Sequence, residues 1–225
     1  LRDCFSKEQL RELTIAMFKD LATTLLKVKV FDEKVVYCNT SEILELADQY
    51  SLASIRERLT KPRKTFDEVI NDLNNIALNK FKAKDTVFTF LDIILISSKN
   101  FEEIYSLLRQ NQLVVCPAIH SAGISVLGRS PPNIIPTYFS KPEIPSLVAL
   151  LNEANKRNLK IEIYDSFRAG FDIDIKQDLV LAYEYLKIFK LFHTETYKYL
   201  KNNLKLFVYK KNIEDNRDLE IKQIE

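Results

Sequence analysis

Short β-branched or apolar runs alternate with longer stretches whose apolar residues recur every three or four positions, through most of the 225 residues. That order restricts the fold. A strand, a helix and a second strand return most readily as parallel neighbours, with helices covering both faces of the sheet. Ser6-Lys7-Glu8-Gln9 reads as a capping box, and Leu10, Leu13, Met17, Leu21 and Leu25 behind it share one helical face. Lys34 to Cys38 reads as a strand, and Asn39-Thr40-Ser41 as the start of a helix over Glu42 to Gln49. Phe66 to Phe81 has helical periodicity, Thr86 to Leu91 reads as a strand ending at Asp92, and Asn100 with Glu103 caps a helix through about Arg109.

Leu113 to Cys116 and Ile124 to Leu127 read as strands flanking an irregular stretch, before a proline-punctuated loop from Pro131 to Pro142. Ile144 to Arg157 is helical and Lys160 to Tyr164 is the next strand. Asp172 to Lys176 leads into a helix through about Phe189, Thr194 to Leu200 forms another, and Leu204 to Tyr209 alternates as a late edge strand. Residues 1–211 are therefore expected to form one α/β domain, a three-layer sandwich around a mostly parallel sheet, with residues 212–225 as a polar tail that frays. In such sheets ligands bind beyond the carboxyl ends of strands.

Composition excludes several classes. The three glycines, Gly123, Gly128 and Gly170, supply neither a GxGxxG dinucleotide turn nor a P-loop. Lys and Arg number 33 against 31 Asp and Glu, interleaved along the chain, so no footprint of a nucleic-acid binder is present. Cys4, Cys38 and Cys116 are far apart and have no metal-ligand spacing among themselves, and His193 has no cysteine nearby. No apolar run reaches the roughly 20 residues of a membrane helix, and a cytoplasmic location is the default.

Candidate chemistry sits just after strands. Asp92, closing Val87-Phe88-Thr89-Phe90-Leu91, can hold Mg2+ against phosphates or serve as a turn aspartate. Asp172 and Asp174, two apart in an extended stretch, point to one side and can share a cation; Asp174 can equally cap the following helix. Lys61-Pro62-Arg63-Lys64 can meet phosphate or form solvated surface. His120 can contact a base or phosphate, although a lone histidine without a paired carboxylate is more often structural. Tyr183, Tyr185, Phe189, Phe192, Tyr197 and Tyr199 follow helical spacing and read as core or contact surface, which would permit a homodimer.

The stretch from Lys160 to Leu179, with Gly170, Asp172-Ile173-Asp174 and Asp178-Leu179, resembles the terminal Gly-x-Asp-Ile-Asp-x-x-x-Asp-Leu motif of the 2-phospho-L-lactate guanylyltransferases. Phe5 to Phe18 resembles that family's first helix, and Leu91-Asp92-Ile93-Ile94-Leu95-Ile96-Ser97 stands where the family has Ala-Asp-Leu-Pro-Leu-Leu-Ser. Val114 to Pro132 and Leu204 to Lys210 are similar to its middle strands and last strand, so the resemblance covers nearly the whole chain.

The resemblance implies a nucleotide-diphospho-sugar transferase-like sandwich in which a small phosphorylated acid attacks the α-phosphate of GTP and pyrophosphate leaves. The acid would be 2-phospholactate, phosphoenolpyruvate or 3-phosphoglycerate. It also implies Asp92 and Asp174 as catalytic carboxylates holding Mg2+, with Asp172 as a further metal ligand, and Asp67, Gly123 and Ser125 at the nucleotide. Some motifs differ. The family's opening strand and Lys-x-Arg loop precede the match, its Gly-Leu-Asn becomes Thr65-Phe66-Asp67, and its Gly-Gly-Thr-Asn becomes Ala122-Gly123-Ile124-Ser125. The acceptor loop's Tyr-Gly-x-x-Ser-Phe becomes Phe139-Ser140-Lys141-Pro142-Glu143-Ile144. A homologue that binds nucleotide or a partner without turnover is the alternative these changes leave open.

Overall fold

The computed structural model describes Leu1, residues 5–203, and the strand backbone of residues 207–210 and 219–222. The first half runs α1 (Lys7–Lys27), β1 (Val35–Cys38), α2 (Ser41–Gln49), β2 (Ala53–Arg56), α3 (Phe66–Asn79), β3 (Thr86–Thr89) and α4 (Ser98–Leu108). There follow β4 (Leu113–Pro117), β5 (Ile124–Arg129), α5 (Ser146–Lys156), β6 (Ile161–Ile163), α6 (Phe167–Gly170) and α7 (Lys176–Ile188). The chain closes with α8 (Glu195–Asn203), β7 (Phe207–Lys210) and β8 (Leu219–Lys222).

The main sheet has the order β3-β5-β4-β6. β5 runs antiparallel to β3 and β4, while β4 runs parallel to β6, so β3, β4 and β6 share one direction and β5 opposes them. The reversed strand follows from chain length. Only the segment from Ala118 to Gly123 joins β4 to β5, too short for a parallel crossover of a dozen or more residues. β1 and β2 form a separate parallel pair with α2 as their crossover.

Side chains alternate across the sheet. Leu113, Val115 and Leu127 pack with Leu150 and Ala154 of α5, whereas Val114, Cys116 and Val126 pack with Phe101, Ile104 and Leu108 of α4. The layers are thus helix, sheet and helix. A further core joins Leu13 and Met17 of α1 to Leu179 and Leu186 of α7 and Leu200 of α8. Each such buried side chain contributes about 1.5–3 kcal/mol over its exposed state.

Helix starts follow local chemistry. Ser6 and Gln9 form the expected capping box, with Gln9 N–H donating to Ser6 Oγ (3.2 Å) and Ser6 N–H to Gln9 Oε1 (2.9 Å). For α4 the cap is Ser97 rather than Asn100. Asn100 supplies the reciprocal side chain, accepting from Ser97 N–H at 2.9 Å, and its Nδ2 donates to Tyr164 Oη at 2.9 Å. Asp20 in α1 caps α8 by accepting from the N–H groups of Glu195 and Thr196, each at 2.8 Å.

Three elements go beyond the sequence reading: β2, the single turn α6, and β8, which pairs antiparallel with β7 inside the stretch expected to fray. Residues 204–206 of the expected late strand lie outside the described residues. The whole of β7 pairs with β8 in a sheet of its own and does not extend the main one. Buried Arg129 links layers: its guanidinium donates to Asn74 Oδ1 of α3 (2.6 Å) and to the Ile135 carbonyl (3.3 Å), and burial lowers its pKa to about 10.

Candidate functional site

Because β3 and β6 run the same way, the segments that follow them leave the same edge of the sheet. Asp92 sits just past β3, and Asp172 and Asp174 follow α6 after β6. The three carboxylates interact. Burial pushes the Asp92 carboxyl up to about 6, and the negative charges of Asp174 and Asp172 add to the rise. Burial also raises Asp172, reinforced by Asp174 and Asp178 and partly offset by His120. Neither shift is relieved by a lysine or arginine.

One oxygen of Asp172, Oδ1, is buried without a hydrogen-bond partner. A buried carboxylate oxygen among like charges fits a site that takes a cation. Among the described residues, no group of three His, Cys, Asp or Glu side chains is arranged to hold a metal by itself. A Mg2+ ion here would draw one or two carboxylates from the protein and complete its shell with phosphate oxygens and water, its common mode.

Asp178 positions this region, a role that sequence reading missed. Its Oδ2 accepts from the N–H groups of Asp174 and Ile175, each at 2.9 Å, so the N-terminus of α7 is capped by Asp178 and not by Asp174. That leaves the Asp174 carboxylate exposed and available. Oδ1 of Asp178 holds His120 Nδ1 at 2.9 Å, so His120 does have a carboxylate partner, 58 residues away in the chain and invisible to local reading. Phe171 packs edge-on against the imidazole, with ring centres 5.1 Å apart.

Gly170 brings the strand ends together. Its carbonyl accepts from Ile119 N–H at 2.8 Å, and a Cβ at this position would stand 2.6 Å from the Pro117 carbonyl oxygen. Gly123 closes the β4–β5 turn, its carbonyl accepting from Ala118 N–H at 3.1 Å.

Two expected nucleotide contacts are engaged within the fold. Ser125 is 1% exposed, and its hydroxyl donates to the Cys116 carbonyl at 3.0 Å beside the β4 register shift. Its hydroxyl is thus taken up inside the sheet. Asp67 ties down the following loop: its carboxylate accepts from Thr137 Oγ1 (2.7 Å), Phe139 N–H (2.9 Å) and Ser140 N–H (3.0 Å). Three of its roughly four acceptor positions are filled, so the carboxylate holds the loop and keeps about one acceptor position free. In the basic loop, Lys64 pairs with Asp72 of α3.

An aromatic cluster also escaped local reading. Phe88 of β3 and Phe90 just past it lie two apart on the run that leads to Asp92, with ring centres 4.8 Å apart, and Phe66 and Phe139 complete the cluster. The alternation Phe88-x-Phe90 was its only local signal; Phe66 and Phe139 come from distant segments.

Solved structures share this architecture. A candidate nucleotide-diphospho-sugar transferase from Desulfovibrio desulfuricans G20 superposes with a TM-score of 0.70, at 14% identity, covering 87% of this chain and 84% of that one. The 4-diphosphocytidyl-2C-methyl-D-erythritol synthase of Anaerococcus prevotii gives 0.59 at 15% identity, covering 76% and 86%. The fold is therefore that of the nucleotide-diphospho-sugar transferases and cytidylyltransferases. Within that class the chain belongs to the family described as "Guanylyl transferase CofC like", whose model matches residues 1–222. Among its relatives, the 2-phospho-L-lactate guanylyltransferase of Methanocaldococcus jannaschii is 29% identical over 182 residues, covering 80% of this chain and 73% of that protein. The enzyme of the same name from Ferroglobus placidus is 28% identical over 144 residues, covering 60% and 68%.

Proposed function

We propose that the protein is a Mg2+-dependent guanylyltransferase that moves GMP from GTP to a small phosphorylated acid. The observation that carries this is the convergence of Asp92, Asp172 and Asp174 at one sheet edge, with a buried Asp172 oxygen lacking a partner. A phosphate oxygen of the acceptor would attack the α-phosphorus of GTP, forming a new P–O–P link as the bond to pyrophosphate breaks. The acceptor phosphate is already anionic at neutral pH, so positioning and charge neutralisation are the main demands.

Asp92 and Asp174, with Asp172 beside them, would hold Mg2+; when bound, the ion neutralises the triphosphate. Asp178 fixes the backbone of Asp174, Gly123 shapes the turn that carries His120, and Asp67 holds the 137–140 loop against α3. The names of the relatives favour 2-phospholactate as the first acceptor to test. Phosphoenolpyruvate and 3-phosphoglycerate come next. A binding protein without turnover is the second reading, favoured by the burial of Ser125 and by the three internal hydrogen bonds to Asp67.

Pyrophosphate release from GTP, measured with each acid in turn, tests the proposal. Acceptor-dependent release that disappears in Asp174→Asn is the expected result. GTP binding without release under any acid would favour the second reading.

A further inference from the structure

Behind the segment that carries Asp92 lies a cavity of about 520 Å3, bounded by α1, residues 93–98, Arg168 of α6 and the turn before α8. Its volume falls in the range of small-molecule sites. Its floor is apolar, with Met17, Leu21, Ile93 and Leu95 among the residues that line it. Three cationic side chains, Lys19, Lys27 and Arg168, reach the same space.

The charges do not cancel. The two carboxylates at the cavity are engaged elsewhere: Asp20 caps α8, and Glu195 pairs with Lys198 at 2.7 Å. Among the described residues no carboxylate pairs with Lys19, Lys27 or Arg168. The Arg168 guanidinium lies over the Phe189 ring, 4.2 Å from its centre, a contact that leaves its charge uncompensated. The helix α4 also begins at the rim, and Ser97 and Ser98 line the cavity there.

We propose that this cavity binds a small organic anion with an apolar body and a phosphate or carboxylate head, at a site separate from the strand-edge carboxylates. The body lies on the Met17 and Ile93 floor, and the head meets Lys19, Lys27 and Arg168. Leu91 and Ile93, the chain neighbours of Asp92, both line the cavity, so an occupant touches the segment that holds Asp92.

Met17 is the single methionine of the sequence, so a methyl-labelled methionine gives a reporter in the cavity floor. The probe is naphthyl phosphate, compared with neutral naphthol and with inorganic phosphate. Naphthyl phosphate is expected to shift the Met17 methyl resonance saturably, and each comparison compound to bind at least about tenfold more weakly. A Lys19→Gln, Lys27→Gln double variant keeps good helix formers on α1 and should weaken naphthyl phosphate about tenfold without changing naphthol. Arg168→Gln should act in the same direction, and Asp174→Asn should leave the titration unchanged. The proposal is overturned if the resonance does not move, if naphthol binds as tightly, or if the double variant binds naphthyl phosphate like the parent. Loss of the shift in Asp174→Asn would overturn the separateness of the site.

Discussion

His120 Nδ1 stands 2.9 Å from Asp178 Oδ1, while the other oxygen of the same carboxylate accepts the backbone N–H groups of Asp174 and Ile175. One nearly buried side chain thus sets both the start of α7 and the placement of the adjacent Asp174 backbone. Asp178→Ala removes a helix cap and leaves two N–H groups unpaired, with an expected cost of about 2 kcal/mol in urea unfolding. His120→Gln should cost less than about 1 kcal/mol, because the capping bonds remain. Equal losses in the two variants would contradict this division of roles.

Asp92 gives a pH signature. Its carboxyl, raised to about 6 in the fold, is harder to ionise there than in the unfolded chain, where it returns to 3.8. The ionised group therefore opposes folding above about pH 6, and the penalty vanishes below the unfolded pKa. Without Mg2+, Asp92→Asn should be more stable than the parent by about 1–2 kcal/mol at pH 7.5, less than the full shift implies because the side chain keeps some water contact. Near pH 4 the gap should close. Chemical denaturation at both pH values measures it, and a destabilised variant at pH 7.5 would contradict the assignment.

Gly170 has no room for a side chain. The 2.6 Å approach to the Pro117 carbonyl oxygen means that Gly170→Ala must move backbone, at roughly 2–3 kcal/mol. Gly128→Ala meets Val114 and Leu108 side-chain carbons at 3.3–3.4 Å, so a smaller loss is expected there. Thermal melts of the two variants rank them, and the reverse order would contradict the packing account.

Asp67→Ala releases three hydrogen bonds that anchor the 137–140 loop. Should that loop contact the acceptor, the variant will raise the acceptor KM severalfold while GTP affinity stays within about twofold. A loss confined to GTP binding would return Asp67 to the nucleotide.

Helix starts and strand runs were legible wherever short-range chemistry decides them, as with Ser6 and Gln9 or the alternating strands β4 and β5. The candidate carboxylates Asp92, Asp172 and Asp174 stand out in the sequence because they follow strands or lie two apart. The pairing of His120 with Asp178 was not legible, since it joins the β4–β5 turn to the first turn of α7 across the sheet edge. Nor was the burial of Ser125, which depends on the register shift at Cys116 and Pro117. The short strand β2, half exposed along its length, shows too weak an apolar pattern to stand out. The cap of α4 was assigned three residues late because Ser97 and Asn100 exchange hydrogen bonds, so either can pass for the cap.

The most direct test of the central claim is calorimetric titration of the protein with GTP, ATP, CTP and UTP in the presence and absence of Mg2+, beside an Asp92→Asn, Asp174→Asn variant. The account predicts Mg2+-dependent binding that favours GTP and is lost in the variant. Binding of no nucleotide, or binding that the variant retains with Mg2+, would contradict it.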